Sequence, residues 1–163
     1  MTSLSSFPAG QTLAADLKLK RTTDPENAIR QFCLKRLREL VRQSGITVRT
    51  LPDLLSIVAE KLGTNFVEIR TDEDLVRIKA EYVKRREVAV ALLEETLSSE
   101  VFAMTFALSA PREGERPFVS IIDCRGGKAP RAYFSKWHEI AHLLTLTPQS
   151  RLQFCRTHAE PGV

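Results

Sequence analysis

The chain has 163 residues, of which 43% are hydrophobic and 27% charged, the composition of one ordinary globular domain with its own core. Seven Gly and eight Pro are too few for a fibrous or low-complexity protein, and three dispersed Cys favour a reduced, cytoplasmic setting over a disulfide scaffold. The longest wholly apolar run, from Val88 to Leu93, is too short to span a bilayer, and residues 1–10 lack the pattern of a secretory signal. We therefore expect a cytoplasmic protein with no membrane partner.

The positive charge is concentrated in the first third of the chain. Residues 1–50 contain nine Lys or Arg and four Asp or Glu, whereas residues 51–163 contain 15 basic and 16 acidic residues. Such a surface suits an acidic partner or nucleic acid, and it is also the ordinary charge of a solvated helix face. No recognition motif accompanies the charge, so we do not expect direct nucleic-acid binding.

The first part of the chain divides into an arm and two helices. Residues 1–24 are small and polar, which predicts a flexible arm in front of a single domain, 25–163. Pro25 follows an Asp, a favoured helix start, and apolar residues then recur every three or four positions until Gly45 ends the helix. A second, Leu-rich helix is predicted to end at Gly63.

The rest of the chain mixes β-prone runs with helical patterns. The predicted strands cover residues 65–70, 101–108 and 118–124, and the last two form a hairpin. The predicted helices cover residues 71–97, with a bend near Arg85, then 135–146 and 150–157. This order predicts an α+β fold with helices around a small antiparallel sheet of about three strands, and a functional helix near the C-terminus.

One motif carries chemistry. His138, Glu139 and His142 form the pattern H-E-x-x-H, which places two imidazoles one turn apart on the same helix face. Two such imidazoles can bind one zinc ion, and the adjacent Glu can act as general base on the water that zinc activates. Without a metal, the same residues would be a pair of His that pack against or cap a helix.

A hydrolytic zinc site usually has a third protein ligand. Glu160 lies 18 residues after His142, which suits a His/His/Glu set, although a Pro and a Gly follow it at once. His158 and Cys155 are weaker alternatives and Asp123 is a poor one. The remaining alternative is a third ligand that this chain does not contain.

The segment RAYFSKWHEIAHLL, from Arg131 to Leu144, resembles the core of the ImmA/IrrE-type zinc metallopeptidases. The preceding helix, strand and hairpin are similar to the elements that lead into that family's active-site helix, so the likeness covers about residues 26–146. The resemblance implies a zinc endopeptidase that cleaves helix-turn-helix repressors. It implies zinc on His138, His142 and a downstream Glu, with Glu139 as the base.

The chain departs from the family pattern at two points. The family's downstream Glu lies on a further helix, a setting that Glu160 does not match, so the chain is either truncated or lacks its third ligand. Trp137 stands where a small residue usually precedes the first His. The donors available to a developing oxyanion are Tyr133 and His158, although Tyr133 is also typical of a sheet or core aromatic.

Three functions therefore stay open. The first is a zinc endopeptidase that acts on a protein substrate, namely a DNA-binding repressor. The second is a non-catalytic interaction or metal-sensing module with the same fold, which an incomplete ligand set would favour. The third is a nucleic-acid-binding domain that uses the basic first helix, and a steep salt dependence would distinguish it.

Overall fold

The computed structural model describes residues 15, 17–19, 24–97 and 100–146, together with the backbone of residues 155–158. The predicted arm, residues 1–24, lies largely outside this part of the chain. The helices are α1 (Pro25–Ser44), α2 (Leu51–Leu62), α3 (Asp72–Lys84), α4 (Leu93–Thr96) and α5 (Ala132–Leu144). The strands are β1 (Thr64–Ile69), β2 (Val101–Ala107), β3 (Phe118–Asp123) and β4 (Cys155–His158). This composition confirms the α+β class.

Helix α1 begins and ends, and helix α2 ends, where the sequence caps predict. The carboxylate of Asp24 accepts a hydrogen bond from the backbone of Asn27 at the start of α1. Gly45 and Gly63 close the two helices with φ angles of 67° and 77°, a left-handed conformation that favours Gly. None of the helices in the described part of the chain is long and apolar enough to cross a membrane.

Within the described residues the sheet has four strands in the order β1-β3-β2-β4, and it is mixed rather than antiparallel. The predicted hairpin of β2 and β3 is confirmed, but β3 also pairs in parallel with β1. Parallel neighbours need a long crossover, which α3 and α4 supply between β1 and the hairpin. The correction arises because hydrophobic alternation identifies strands but does not encode which strand occupies the centre of a sheet.

Two predicted helices are also corrected. The helix predicted over 71–97 ends at Lys84, since the chain turns at Arg86, which has a φ of 61°. Glu87 holds this turn, because its buried carboxylate accepts hydrogen bonds from the backbone N–H (2.9 Å) and hydroxyl (3.0 Å) of Ser109. The helix predicted over 150–157 is wrong at its end, where Cys155–His158 forms β4 on the edge of β2. Residues 150–154 lie outside the described part of the chain.

The sheet is covered on both faces. Side chains alternate along a strand, so Val119 and Ile121 of β3 share one face and Ser120 lies on the other. The core between the first face and α3–α4 consists of Ile69, Leu75, Ile78, Tyr82, Val90, Leu93, Leu97, Val101, Met104, Phe106, Leu108, Val119 and Ile121. Helices α1, α2 and α5 share a second cluster, whose buried members are Leu55, Val58, Ala59, Ile140 and Leu144. Helix α5 thus covers the face that carries Ser120.

Candidate metal centre

Helix α5, which carries the H-E-x-x-H motif, is fixed in place by both of its buried sides. Ile140 and Leu144 pack against α2, and Trp137 adds a partly buried contact to the same cluster. On the sheet side, the ammonium of Lys136 lies 2.7 Å from the carboxylate of Glu68 in β1. The helix starts three residues before the predicted Ser135, because the 3-10 helix Gly126–Arg131 leads directly into it. A rigid helix of this kind is a suitable support for metal ligands.

The rings of the two histidines of the motif lie close together. The ring centroids of His138 and His142 are 4.9 Å apart, with the ring planes tilted by 53°. The Nε2 atom of His142 is buried and has no hydrogen-bond partner among the described residues. Burial, and to a smaller extent the neighbouring His138, lower the pKa of His142 to about 4. Its imidazole is therefore neutral at pH 7, the form that ligates a metal.

Glu139 lies on the sheet side of α5 and is fully buried. Its Oε2 atom accepts a hydrogen bond of 2.5 Å from the hydroxyl of Thr105 in β2. Burial raises the pKa of Glu139 to about 7, and the hydrogen bond from Thr105 partly opposes that rise. A carboxylate in this range can both accept and release a proton near neutral pH.

Three hydroxyl groups extend from this carboxylate into the sheet. The Oγ1 atom of Thr105 lies 2.7 Å from Oγ of Ser120, which in turn lies 2.8 Å from Oγ1 of Thr64. All three residues are buried. The sequence analysis missed them, although a signal was present: Thr105 and Ser120 are polar residues in the middle of otherwise apolar strands, and a buried hydroxyl needs a partner.

Two aromatic residues at the start of α5 lie on different sides of the helix. Phe134, which the sequence analysis also missed, is 68% exposed, and its ring centroid lies 6.3 Å from that of His138. Tyr133 instead lines a groove of about 310 Å³ beside α2, together with Pro52 and Lys136. At 100° per residue, Tyr133 is on the opposite side of the helix from the histidines, so the structure does not bring it to them.

The described residues contain no group of three His, Cys, Asp or Glu side chains that could hold a metal ion. Glu160 lies outside the described residues. Cys155 and His158 are described by their backbone alone, which pairs with Thr105 and Val101 of β2. Asp123 is occupied elsewhere, because Arg125 and Lys128 bind its carboxylate. The chain after α5 thus returns to the strand that carries Thr105.

The residues of α5 fit two positions of a divalent metal site. A buried imidazole nitrogen without a partner is costly unless something binds it, and neutral imidazole is a good zinc ligand. Comparisons with protein families, with curated proteins and with solved structures find no match for this chain. The motif and its surroundings are therefore the features that indicate a function.

Proposed function

We propose that this chain is a cytoplasmic, zinc-dependent endopeptidase of the ImmA/IrrE type. Its substrate would be a protein, with a helix-turn-helix transcription repressor as the first candidate. The observation that supports this most strongly is the buried Nε2 of His142, which has no hydrogen-bond partner among the described residues and belongs to a ring 4.9 Å from that of His138. In this proposal His138 and His142 hold the metal, and Glu160, from the segment after α5, completes the site.

The chain's own residues have separate roles in the proposed reaction. Zinc in such sites supplies Lewis acidity, which polarises a peptide carbonyl and makes water acidic enough to lose a proton near pH 7. Glu139, one residue after His138, accepts that proton and passes it to the leaving amine. Phe134, which is exposed on the histidine side of α5, offers an apolar contact for a substrate side chain.

A second function is favoured by one observation. Within the described residues the metal would have two ligands rather than three. A chain that keeps the histidine pair but lacks a third ligand would be a metal-sensing or interaction module without catalysis. Its metal would be weakly held, and the hydrolytic test below would be negative while metal binding remained measurable.

The first experiment is the zinc content of the full chain, purified without added metal. We expect close to one zinc per chain, which His138→Ala or His142→Ala removes. Phe134→Ala is the matched control, because it alters the same helix face without removing a ligand. A folded wild-type chain that neither retains nor takes up zinc contradicts the proposal.

Further variants separate the third ligand from the base. Among Cys155→Ala, His158→Ala and Glu160→Ala, we expect Glu160→Ala to lower the zinc content. Glu139→Gln should retain zinc but lose hydrolysis of an unfolded protein or of a quenched peptide library. Zinc binding with no hydrolysis by the wild-type chain would favour the sensing module instead.

A further inference from the structure

The buried hydroxyl chain beneath α5 runs in one direction. A hydroxyl has a single proton, and Thr105 donates its own to Oε2 of Glu139. The 2.7 Å contact between Thr105 and Ser120 must then be donated by Ser120, which has no further proton to give. The 2.8 Å contact between Ser120 and Thr64 is therefore donated by Thr64. With Glu139 in its carboxylate form, proton counting fixes the order Thr64, Ser120, Thr105, Glu139.

Backbone hydrogen bonds fix the positions of these hydroxyl groups. Thr105 and Ser120 are directly opposite each other in the β2–β3 ladder. At the far end, the carbonyl of Thr64 accepts a hydrogen bond of 2.8 Å from the guanidinium of Arg116. Each of the three hydroxyl groups thus belongs to a residue whose backbone is held by hydrogen bonds. The sheet therefore sets the position and the direction of the last donor, the hydroxyl of Thr105.

We infer that Thr105 is a positioning residue for Glu139, and that Ser120 and Thr64 orient the Thr105 hydroxyl. Glu has three rotatable side-chain bonds, and a base that must reach one water works only in a narrow range of orientations. The donor fixes Oε2 of Glu139 against the sheet. The catalytic role of this positioning rests on the proposed function, whereas the hydrogen bonds among these side chains do not depend on it.

A graded set of variants tests the inference. Thr105→Val removes the donor with little change in shape, Thr105→Ser retains it, and Ser120→Ala and Thr64→Val break the chain one and two steps further away. Thr96→Val is the control, because Thr96 is also buried but does not belong to this series of hydroxyl groups. A packing role would not order these effects by distance from Glu139, since the three hydroxyl residues are similarly buried.

The first readout is independent of catalysis. In the full chain labelled with ¹³C at the glutamate carboxyl carbons, the Glu139 resonance is the one lost in Glu139→Gln. At pH 7 we expect Thr105→Val to shift it most, Ser120→Ala less and Thr64→Val least, with Thr105→Ser close to wild type. An unchanged resonance in Thr105→Val, or an equal shift in Thr96→Val, overturns the inference. If Thr105→Val does not fold, an unchanged resonance in Ser120→Ala overturns it.

The second readout is hydrolysis of a quenched peptide library by the zinc-loaded chain. We expect Thr105→Val to lower kcat by about 10-fold or more with KM within about twofold, and Thr105→Ser to restore most of the rate. A loss confined to KM overturns the catalytic part of the inference. Absence of hydrolysis in the wild type together with the graded shifts contradicts the proposed function and leaves the positioning intact.

Discussion

Gly63 and Pro117 approach so closely that a Cβ atom on Gly63 would lie 2.9 Å from Cδ of Pro117. This contact lies where α2 passes into β1, and the carbonyl of Gly63 also accepts a hydrogen bond of 2.9 Å from the backbone of Phe118. Gly is therefore required at position 63 for two reasons. The backbone is left-handed there, and a side chain would collide with Pro117.

Gly63→Ala should lower the free energy of unfolding by about 2–4 kcal/mol, from left-handed strain and overpacking together. Gly45→Ala is the matched control, because Gly45 is also left-handed but has no atom within 4 Å of a built Cβ. It should cost about 1 kcal/mol. Urea denaturation of the two variants measures both values, and equal losses would contradict the role of Pro117.

Asp123 should make the chain sensitive to acid. The side chain is 1% exposed, and Arg125 and Lys128 bind it at 2.9 and 2.7 Å. Burial alone would raise the pKa of Asp123, but the hydrogen bonds from Arg125 and Lys128 outweigh it, so the pKa lies below its ordinary 3.8. The stabilisation is therefore complete above about pH 5 and is lost as the pH falls through that lowered pKa.

Asp123→Asn should cost about 3 kcal/mol at pH 7, because it leaves the two cations without their carboxylate. The variant should also lose less stability than the wild type between pH 5 and about pH 3. Glu113→Gln, at an exposed carboxylate, is the control. Parallel acid profiles for the wild type and Asp123→Asn would refute the assignment of this pH dependence to Asp123.

Glu87 fixes the chain reversal after α3. Glu87→Ala should lower the free energy of unfolding by about 2–3 kcal/mol, because the backbone N–H of Ser109 loses its acceptor. Ser109→Ala should cost only about 1 kcal/mol, since it removes the hydroxyl contact and retains the backbone one. Thermal unfolding compares the two, and a larger loss in Ser109→Ala would be inconsistent with this account.

Zinc should raise the thermal midpoint by an amount that grows with the logarithm of its concentration relative to the dissociation constant. At about 100 times that constant the stabilisation is about 2.7 kcal/mol, which corresponds to several degrees for a chain of this size. His138→Ala and His142→Ala should abolish the rise, and Phe134→Ala should keep it. A rise that survives both His substitutions would place the metal elsewhere on the chain.

The sequence was sufficient for local structure and insufficient for strand order. Asp24, Gly45 and Gly63 cap their helices through contacts with residues close to them in the sequence. The start of α1 and the ends of α1 and α2 could therefore be predicted from the sequence. The parallel pairing of β1 with β3 and the edge pairing of β4 depend on partners far away in the chain, which no local pattern specifies. Ser120 is an example, because its two hydroxyl partners belong to different strands.

The candidate site divides in the same way. The spacing of His138 and His142 predicts that they share a helix face, and their rings do lie together. Thr105 and Phe134 could not be assigned to the site from spacing, because one comes from another element and the other is an exposed aromatic residue without a motif. Tyr133 is the opposite case, because it was predicted as a site residue but lies on the other side of α5. Closeness in sequence to His138 does not place it on the histidine side.

The sheet order has a consequence for how the chain acquires its structure. The hairpin of β2 and β3 joins neighbours in the sequence, whereas both outer strands reach their places through distant contacts. Local pairings form faster than distant ones, so we expect the hairpin to form early and the outer strands to dock later. Thr105 and Ser120 would then be paired before α5 arrives, and the helix would settle on a polar contact already in place.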